Sequence, residues 1–500
     1  MTTDPVRVTH WIGGAPWSAP AERTAPVTNP ATGQVTAEVD LASAAVVDAA
    51  VASARAAWQD GWAQSSLSRR TSVLFAFREL LHRHTDRIAA LVTAEHGKVL
   101  NDARGEVARG LEVAEFACGV PSLLRGAASD TVATDLDVRS LRQPLGVVAV
   151  ISPFNFPVMV PLWFVPVALA CGNAVVLKPS EKDPSAALAV AQVWSEAGLP
   201  DGVLNVVHGD GAAVDMLLAH EHVEAVSFVG STPVARHVYA SGTAYGKRVQ
   251  ALGGAKNHML VLPDADLDQA ADAAVSAGFG SAGERCMAIS AVVVLDDVAD
   301  DLVDRIAERT RRLRTGDGTR GVDMGPLVTA AHRDRVRTFV DNAQSEGATL
   351  VVDGREGPVE GAQSGFYLAP TLVDHVGPDM SVYVEEVFGP VLSVLRVATF
   401  EQGLELVNAN RHGNGAAIFT RDGATARRFE RQVEVGMVGV NVPIPVPAAH
   451  FSFGGWKDSL WGDTHAYGPD GVHFFTRGKV VTTRWPATAA GVDLGFPAHR

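Results

Sequence analysis

Cysteine is scarce in this chain of 500 residues: there are three, Cys118, Cys171 and Cys286, an odd number with no C-x-x-C spacing. That set indicates neither a disulfide framework nor a zinc site, and a reducing, cytoplasmic setting fits it. Basic clusters are also missing. Lys and Arg total 42 against 56 Asp and Glu, a formal charge of -14, with no Lys/Arg-rich run to meet a nucleic acid, although a small anion can still find a local basic pocket. No apolar run is long and unbroken. The nearest, Pro153 to Leu177, is interrupted by Pro157, Pro161, Pro166, Asn155 and Asn173, which argues against a membrane-spanning helix and for buried core. The opening MTTDPVRVTHWIGG has no apolar h-region and no small-residue cleavage site, so no export signal is expected. The histidine groups HRH at 82–84 and HEH at 220–222 lack H-E-x-x-H spacing and read as helix-surface residues, so no metal is expected. What remains is globular composition, 47% hydrophobic and 20% charged, at a length for roughly two to four domains. Small-molecule chemistry is the class left standing.

From Leu41 to about Cys118 the alanine-rich, helically spaced pattern predicts two or three successive helices, with Asp40 and Ser68 as N-caps. Asp130 to Val138 is polar and alternating, a solvent-facing hairpin, and Gly146 to Ile151 is an uncharged buried strand. Between Gly146 and Leu262, β-rich runs (VVAVI, NAVVLKP, VLNVVHG, AVSFVG, HMLVLP) alternate with helix-length segments, the pattern of a doubly wound parallel α/β sheet. A second α/β alternation runs from Ala291 to Val440. Gly354 to Gly365 reads as a surface loop, and VHFFTRGKVVTTRWP as a late strand whose partner periodicity does not supply.

The chemistry points to Gly278–Ser290, GFGSAGERCMAIS. Small residues leave a substrate room to approach Cys286, and the neighbouring Arg285 can favour its thiolate, the nucleophilic form. By themselves, a cysteine also serves as core filler and an arginine as half of a structural ion pair. GERCMAIS, together with PFNFP (153–157), LKPSE (177–181), FVGST (228–232) and EEVFGP (385–390) in that order along the chain, resembles the aldehyde dehydrogenase superfamily from about Ile12 to Trp485. QALGGAKNHMLVLPDADLD, PLWFVPVALACGN and GERCMAIS are similar to its CoA-acylating methylmalonate-semialdehyde (malonate-semialdehyde) dehydrogenases.

The resemblance implies an α/β fold with two doubly wound domains and a small β arm: a cofactor domain over 1–125 and 147–253, a catalytic domain over 254–446, and an oligomerisation arm over 126–146 and 470–488 that builds a homotetramer. It implies NAD as cofactor. Lys178 and Glu181 would hold the adenosine ribose, with Lys182 beside them, and Glu181 should repel a 2′-phosphate and so disfavour NADP. Gly230 and Ser231 would meet the pyrophosphate where a strand turns into a helix. Ser152, Phe154 and Gly253 fall near the nicotinamide, Glu386 at its ribose and Phe388 nearby. Without the resemblance these read as ion pairs, turns, a cap, a core aromatic and a solvated glutamate. Gly209-Asp-Gly211 fails the G-x-G-x-x-G fingerprint and reads as a turn. Ala235 stands where the superfamily usually has Gly.

Asn155, otherwise a turn-forming residue, would stabilise the oxyanion together with the Cys286 N–H. Hydrolytic relatives carry a glutamate base in an E-L-G-G-K segment. Here alignment on Lys256 puts Leu252 there, and a one-residue slip puts Ala251, neither able to take a proton. A CoA thiol is a far better nucleophile than unassisted water, so acyl transfer to CoA is favoured. Arg109 and Arg285 match positions that hold a substrate carboxylate, where guanidinium binds in bidentate fashion; Glu106, Arg109 and Glu112 at i, i+3 spacing can equally be surface pairs. The implied reaction turns methylmalonate or malonate semialdehyde into propionyl- or acetyl-CoA with loss of carbon dioxide, in valine or inositol breakdown. A hydrolytic enzyme releasing free acid is the alternative, and a non-catalytic scaffold that kept the fold a third reading.

Overall fold

The computed structural model describes residues 6–360 and 364–485. Residues 1–5 of the expected cofactor domain and 486–488 of the expected arm lie outside that range. The apolar runs after Gly146 form five parallel strands in the order Arg248–Leu252, Val223–Val229, Val147–Ile151, Ala174–Lys178, Leu204–Val206. The chain starts in the middle, fills one side, then returns to fill the other. A crevice therefore opens at the carboxyl ends of Val147–Ile151 and Val223–Val229, where α/β sheets take ligands.

Period-two alternation explains why VVAVI carries no charge. Val148 and Val150 pack with the helices Leu67–Arg83, Thr85–His96, Leu100–Cys118, Met159–Ala170 and Ser185–Glu196, while Val147, Ala149 and Ile151 pack with Ala44–Ala57, Gly211–Ala219 and Thr232–Ala244. A second, seven-stranded sheet runs Thr349–Val352, Thr371–Asp374, Val391–Val397, Ile289–Leu295, Asn257–Val261, Gly415–Phe419, Met437–Val440 and is parallel except at its first strand. Its two faces are covered by Leu267–Phe279, Asp296–Arg312 and Ala330–Ser345, and by Phe400–Ala409 and Gly423–Gln432. A third sheet is antiparallel: Thr476–Arg484 pairs along its length with Leu136–Pro144, which pairs with Ala128–Ala133.

Several sequence expectations need correction. Four helices, not two or three, occupy 44–118. Asp40 caps none of them, because its carboxylate takes Arg7 Nη2 at 2.7 Å; Ser43 and Ser66 hold the N-cap positions, and Ser68 lies inside a helix. The HMLV strand belongs to the second sheet, where Asn257–Val261 lies between Ile289–Leu295 and Gly415–Phe419. Both major sheets are mixed, since short antiparallel strands finish their edges: Trp11–Ile12 and Leu460–Trp461 on the first, Thr349–Val352 on the second. Pro161 and Pro166 do not prevent a helix over Met159–Ala170, whose twelve residues are all buried. The late strand begins only at Thr476, because Val472 to Phe474 finish the helix Gly468–Phe474. No helix among the described residues is long and apolar enough to cross a membrane.

Candidate active site

Two irregular loops carry Asn155 and Cys286. The first leaves the strand Val147–Ile151, runs through Ser152 to Pro157 and enters the helix Met159–Ala170. The second joins Leu267–Phe279 to Ile289–Leu295 and holds Cys286. Its left-handed turn, φ 51° at Ser281, 53° at Ala282 and 73° at Gly283, is costly for the two non-glycine residues. Asp102 holds it: one carboxylate oxygen accepts from the Ser281 N–H and Oγ at 3.1 Å each, and the other takes Arg285 Nη2 at 2.8 Å. A Cβ on Gly283 would sit 2.1 Å from the Gly389 carbonyl oxygen, so no other residue fits.

Both loops open onto one cavity of about 720 Å³ at the crevice of the first sheet. Cys286 and Asn155 line it, as does every residue expected at the cofactor: Ser152, Phe154, Lys178, Glu181, Lys182, Gly230, Ser231, Gly253, Glu386 and Phe388. Arg109 and Arg285 do not line it. Arg285 is turned to Asp102, and Arg109 binds Glu112 at 2.6 Å and the Pro447 carbonyl at 3.1 Å. Tyr467, whose hydroxyl lies 3.4 Å from the same carbonyl, is within electrostatic reach of both Arg109 and Cys286.

The chemistry of the cavity wall suits a dinucleotide. Lys178 donates to the Gly209 carbonyl at 2.7 Å and lies 3.6 Å from Glu181, so an ammonium and a carboxylate face the cavity together, as ribose hydroxyls require. Lys182 lies 4.5 Å above the Phe154 ring, which meets Phe388 edge-on. Ser231 is the N-cap of Thr232–Ala244, where Pro233 has no N–H and Thr232 and Val234 have N–H groups without an intrahelical partner to offer a phosphate. Ser152 Oγ is buried with no partner. Glu386 accepts the Ala255 N–H at 2.9 Å and approaches so near Gly254 that a Cβ there would lie 2.3 Å from its Oε2. Ala235 is buried against the sheet with Val226 and Val238 and is not part of the cavity wall, so its methyl does not obstruct a ligand. Asp210, in the turn that failed the fingerprint, N-caps Gly211–Ala219.

Around Cys286 the electrostatics differ from the expectation. Burial, then the nearby Glu386 carboxyl, pushes the Cys286 thiol up from its ordinary value, and the lowering by Arg285 is the smallest contribution. Because Arg285 is already paired with Asp102, it does not hold Cys286 as a thiolate. Glu386 is raised to about 7 by burial, against the Ala255 N–H and Lys256.

Sequence reasoning missed a layer behind these groups. Asn257 and Asn414 both donate to the Cys286 carbonyl, at 2.9 and 3.1 Å. Glu284 is fully buried and turned away from the cavity; its Oε2 lies 3.7 Å from His96 Nε2 and its Oε1 3.6 Å from His332 Nε2. Burial raises Glu284 to about 8 and lowers His96 well below its usual value, so at neutral pH this is a neutral contact and not an ion pair. Glu106 is not a surface residue: it is buried against Lys98 at 2.7 Å. One signal was available, since Glu106 falls on the stripe of Ala103, Val107 and Gly110 that its helix buries.

The Aldehyde dehydrogenase family model matches residues 17–481. The chain belongs to this family. Malonate-semialdehyde dehydrogenase of Pseudomonas aeruginosa is 54% identical over 480 residues, covering 95% of this chain and 96% of that protein. Among solved aldehyde dehydrogenases, methylmalonate-semialdehyde dehydrogenase from Oceanimonas doudoroffii superposes with a TM-score of 0.95 at 51% identity, covering 97% of this chain and 99% of the other. A Sinorhizobium meliloti protein solved in complex with NAD gives 0.96 at 48% identity, with the same coverage. The aldehyde dehydrogenase fold expected from the motifs is thus the fold found.

Proposed function

We propose that this protein is an NAD-dependent, CoA-acylating dehydrogenase of malonate semialdehyde and methylmalonate semialdehyde. The observation that carries the reading is the shared cavity: Cys286 and Asn155 lie on the wall of the same crevice as the dinucleotide-type cradle. The substrate named for the Pseudomonas aeruginosa relative supports the semialdehyde, and the NAD bound in the Sinorhizobium meliloti structure supports the cofactor.

In this reading Cys286 Sγ adds to the aldehyde carbon as its proton passes to water in the open cavity. One Asn155 amide hydrogen is spent on the Glu284 carbonyl at 3.1 Å; the second, with the Cys286 N–H, stabilises the alkoxide, where each such donor is worth about 3–4 kcal/mol. Lys178, Glu181, Ser231 and Glu386 hold NAD, which when bound supplies the hydride acceptor. Carbonyl re-formation leaves a thioester on Cys286 with a carboxylate on the next carbon. Loss of carbon dioxide leaves that electron pair as an enolate conjugated with the thioester carbonyl, and protonation gives the acyl group. The CoA thiol then attacks the acyl carbon and Cys286 leaves as thiolate. Leu252 and Ala251, in the place of a water-activating base, are buried strand residues off the cavity wall, which supports thiol over water as acceptor.

Arg109 is assigned to the substrate carboxylate, sharing its guanidinium with Glu112. Arg285, the other arginine expected there, is held by Asp102 at 2.8 Å and secures the loop that carries Cys286. The exposed Val132, Leu141, Val480 and Trp485 of the antiparallel arm support its role in joining copies into a homotetramer. Incubating the protein with NAD and malonate semialdehyde, with and without CoA, tests the reaction. Acetyl-CoA is expected, with slow turnover when CoA is omitted; free acid formed at an unchanged rate without CoA would establish the hydrolytic alternative.

A further inference from the structure

The most heavily buried ion pair near the reacting loops has no part in the chemistry above. Lys98 and Glu106 are wholly inaccessible, 2.7 Å apart, and neither lines the cavity. Exchanging such a pair for apolar residues of similar volume is commonly neutral or stabilising, so packing alone does not account for it.

Its contacts do. Lys98 Nζ donates to the Asn155 carbonyl oxygen at 2.6 Å and lies 4.4 Å from the centre of the Phe156 ring. Glu106 Oε1 accepts the N–H groups of Val158 and Met159, at 2.8 and 3.1 Å, which open the helix Met159–Ala170 and have no intrahelical partner. Both charges are thus directed at the backbone of one short segment, on either side of Pro157. That segment carries the amide whose direction decides whether it reaches an alkoxide.

We infer that the Lys98–Glu106 pair is a positioning device that fixes the backbone of Asn155, and through it the oxyanion-stabilising amide; the inference rests on the role given to Asn155 above. Lys98 holds the main chain of Asn155 while the Glu284 carbonyl holds its side chain. Removing the first anchor lets the amide swing about the second. Misplacement of about 1 Å can cost on the order of 10²-fold in rate.

The test is a double-mutant cycle on the pre-steady-state burst of NADH with NAD and saturating malonate semialdehyde. Asn155→Ala should slow the burst about 10²–10³-fold. Lys98→Met should slow it roughly tenfold or more in the parent, yet by less than about twofold in the Asn155→Ala background, since its effect passes through that amide. Affinity for NAD and the rate of Cys286 alkylation by iodoacetamide should not change, and saturating aldehyde should not restore the burst. Glu106→Gln keeps an oxygen for the Val158 and Met159 N–H groups but unpairs Lys98. It carries the same cycle, with the same non-additivity expected, should Lys98→Met fail to fold. Equal fold losses in both backgrounds, or a parallel loss of NAD affinity, would overturn the inference and leave the pair purely structural. A burst undiminished by Asn155→Ala would instead remove the oxyanion role itself, and the inference with it.

Discussion

Around the crevice of the first sheet, Lys178, Glu181, Gly230 and Ser231 lie at or just after strand ends or cap one helix N-terminus, in an open cavity. Cys286 and Asn155 sit on irregular loops pinned from behind by Asp102, Lys98, Glu106, Asn257 and Asn414, all of them away from the cavity wall. The cleft gets its geometry from the regularity of the sheet. Cys286 and Asn155 get theirs from individual hydrogen bonds to residues distant in the chain. A cofactor contacted at many points tolerates small errors in each, whereas an attacking sulfur and an oxyanion donor tolerate few.

If the two regions are separable, a change in one should leave the other's readout alone. Cys286→Ala should abolish NADH formation, a loss of at least about 10⁴-fold, while NAD affinity by titration stays within about twofold. A matching loss of affinity would break the separation. Next in size, Arg109→Ala should lower kcat/KM for malonate semialdehyde on the order of 10²-fold and that for propanal only severalfold. Equal losses on the two aldehydes would remove its assigned role.

The buried layer should also reveal itself through pH. Glu284 keeps its proton in the folded state up to about pH 8, whereas the unfolded chain releases it near the ordinary glutamate value of 4.5. The folded state therefore binds more protons between those values, and stability from this group is fully present below about pH 4.5 and lost as pH rises to about 8. Glu284→Gln should raise the thermal unfolding midpoint at pH 9 by roughly 5 °C and scarcely change it at pH 4.5. A gain of the same size at both pH values would refute a protonated Glu284. Smallest is Ala235→Gly on the cleft side: about 1 kcal/mol of stability lost from a helix interior, with KM for NAD within about twofold. A marked tightening of NAD binding would place that methyl against the cofactor after all.

The same contrast governs what could be read from the sequence. Strands such as VVAVI announce themselves because burial on both faces excludes charge, so the sheet that forms the crevice is legible in the sequence, whereas the assignment of Lys178, Glu181 and Glu386 to it comes from the family resemblance, since by themselves they read as ordinary charges. The pinning residues were not legible, because hydrogen-bond partners set by tertiary folding leave no periodic trace: Asn414 lies 128 positions from the carbonyl it holds. Glu106 was misread for a related reason, since i, i+3 spacing to Arg109 suggests surface pairs and only the helix's buried stripe says otherwise. Arg285 misled in another way, as adjacency in sequence to Cys286 did not mean that its charge reached the sulfur; Asp102 had claimed it.

Asp102 also imposes an order of events. It is synthesised 179 residues before Ser281, whose left-handed turn it secures. At translation rates of roughly 5–20 residues per second, the helix bearing it waits on the order of 10–40 s for that turn to emerge. Neither half of the nascent chain can finish the setting of Cys286 alone. Asn414, which holds the Cys286 carbonyl, follows 128 residues later still, so a chain stalled between the two carries the cysteine without the whole of its setting.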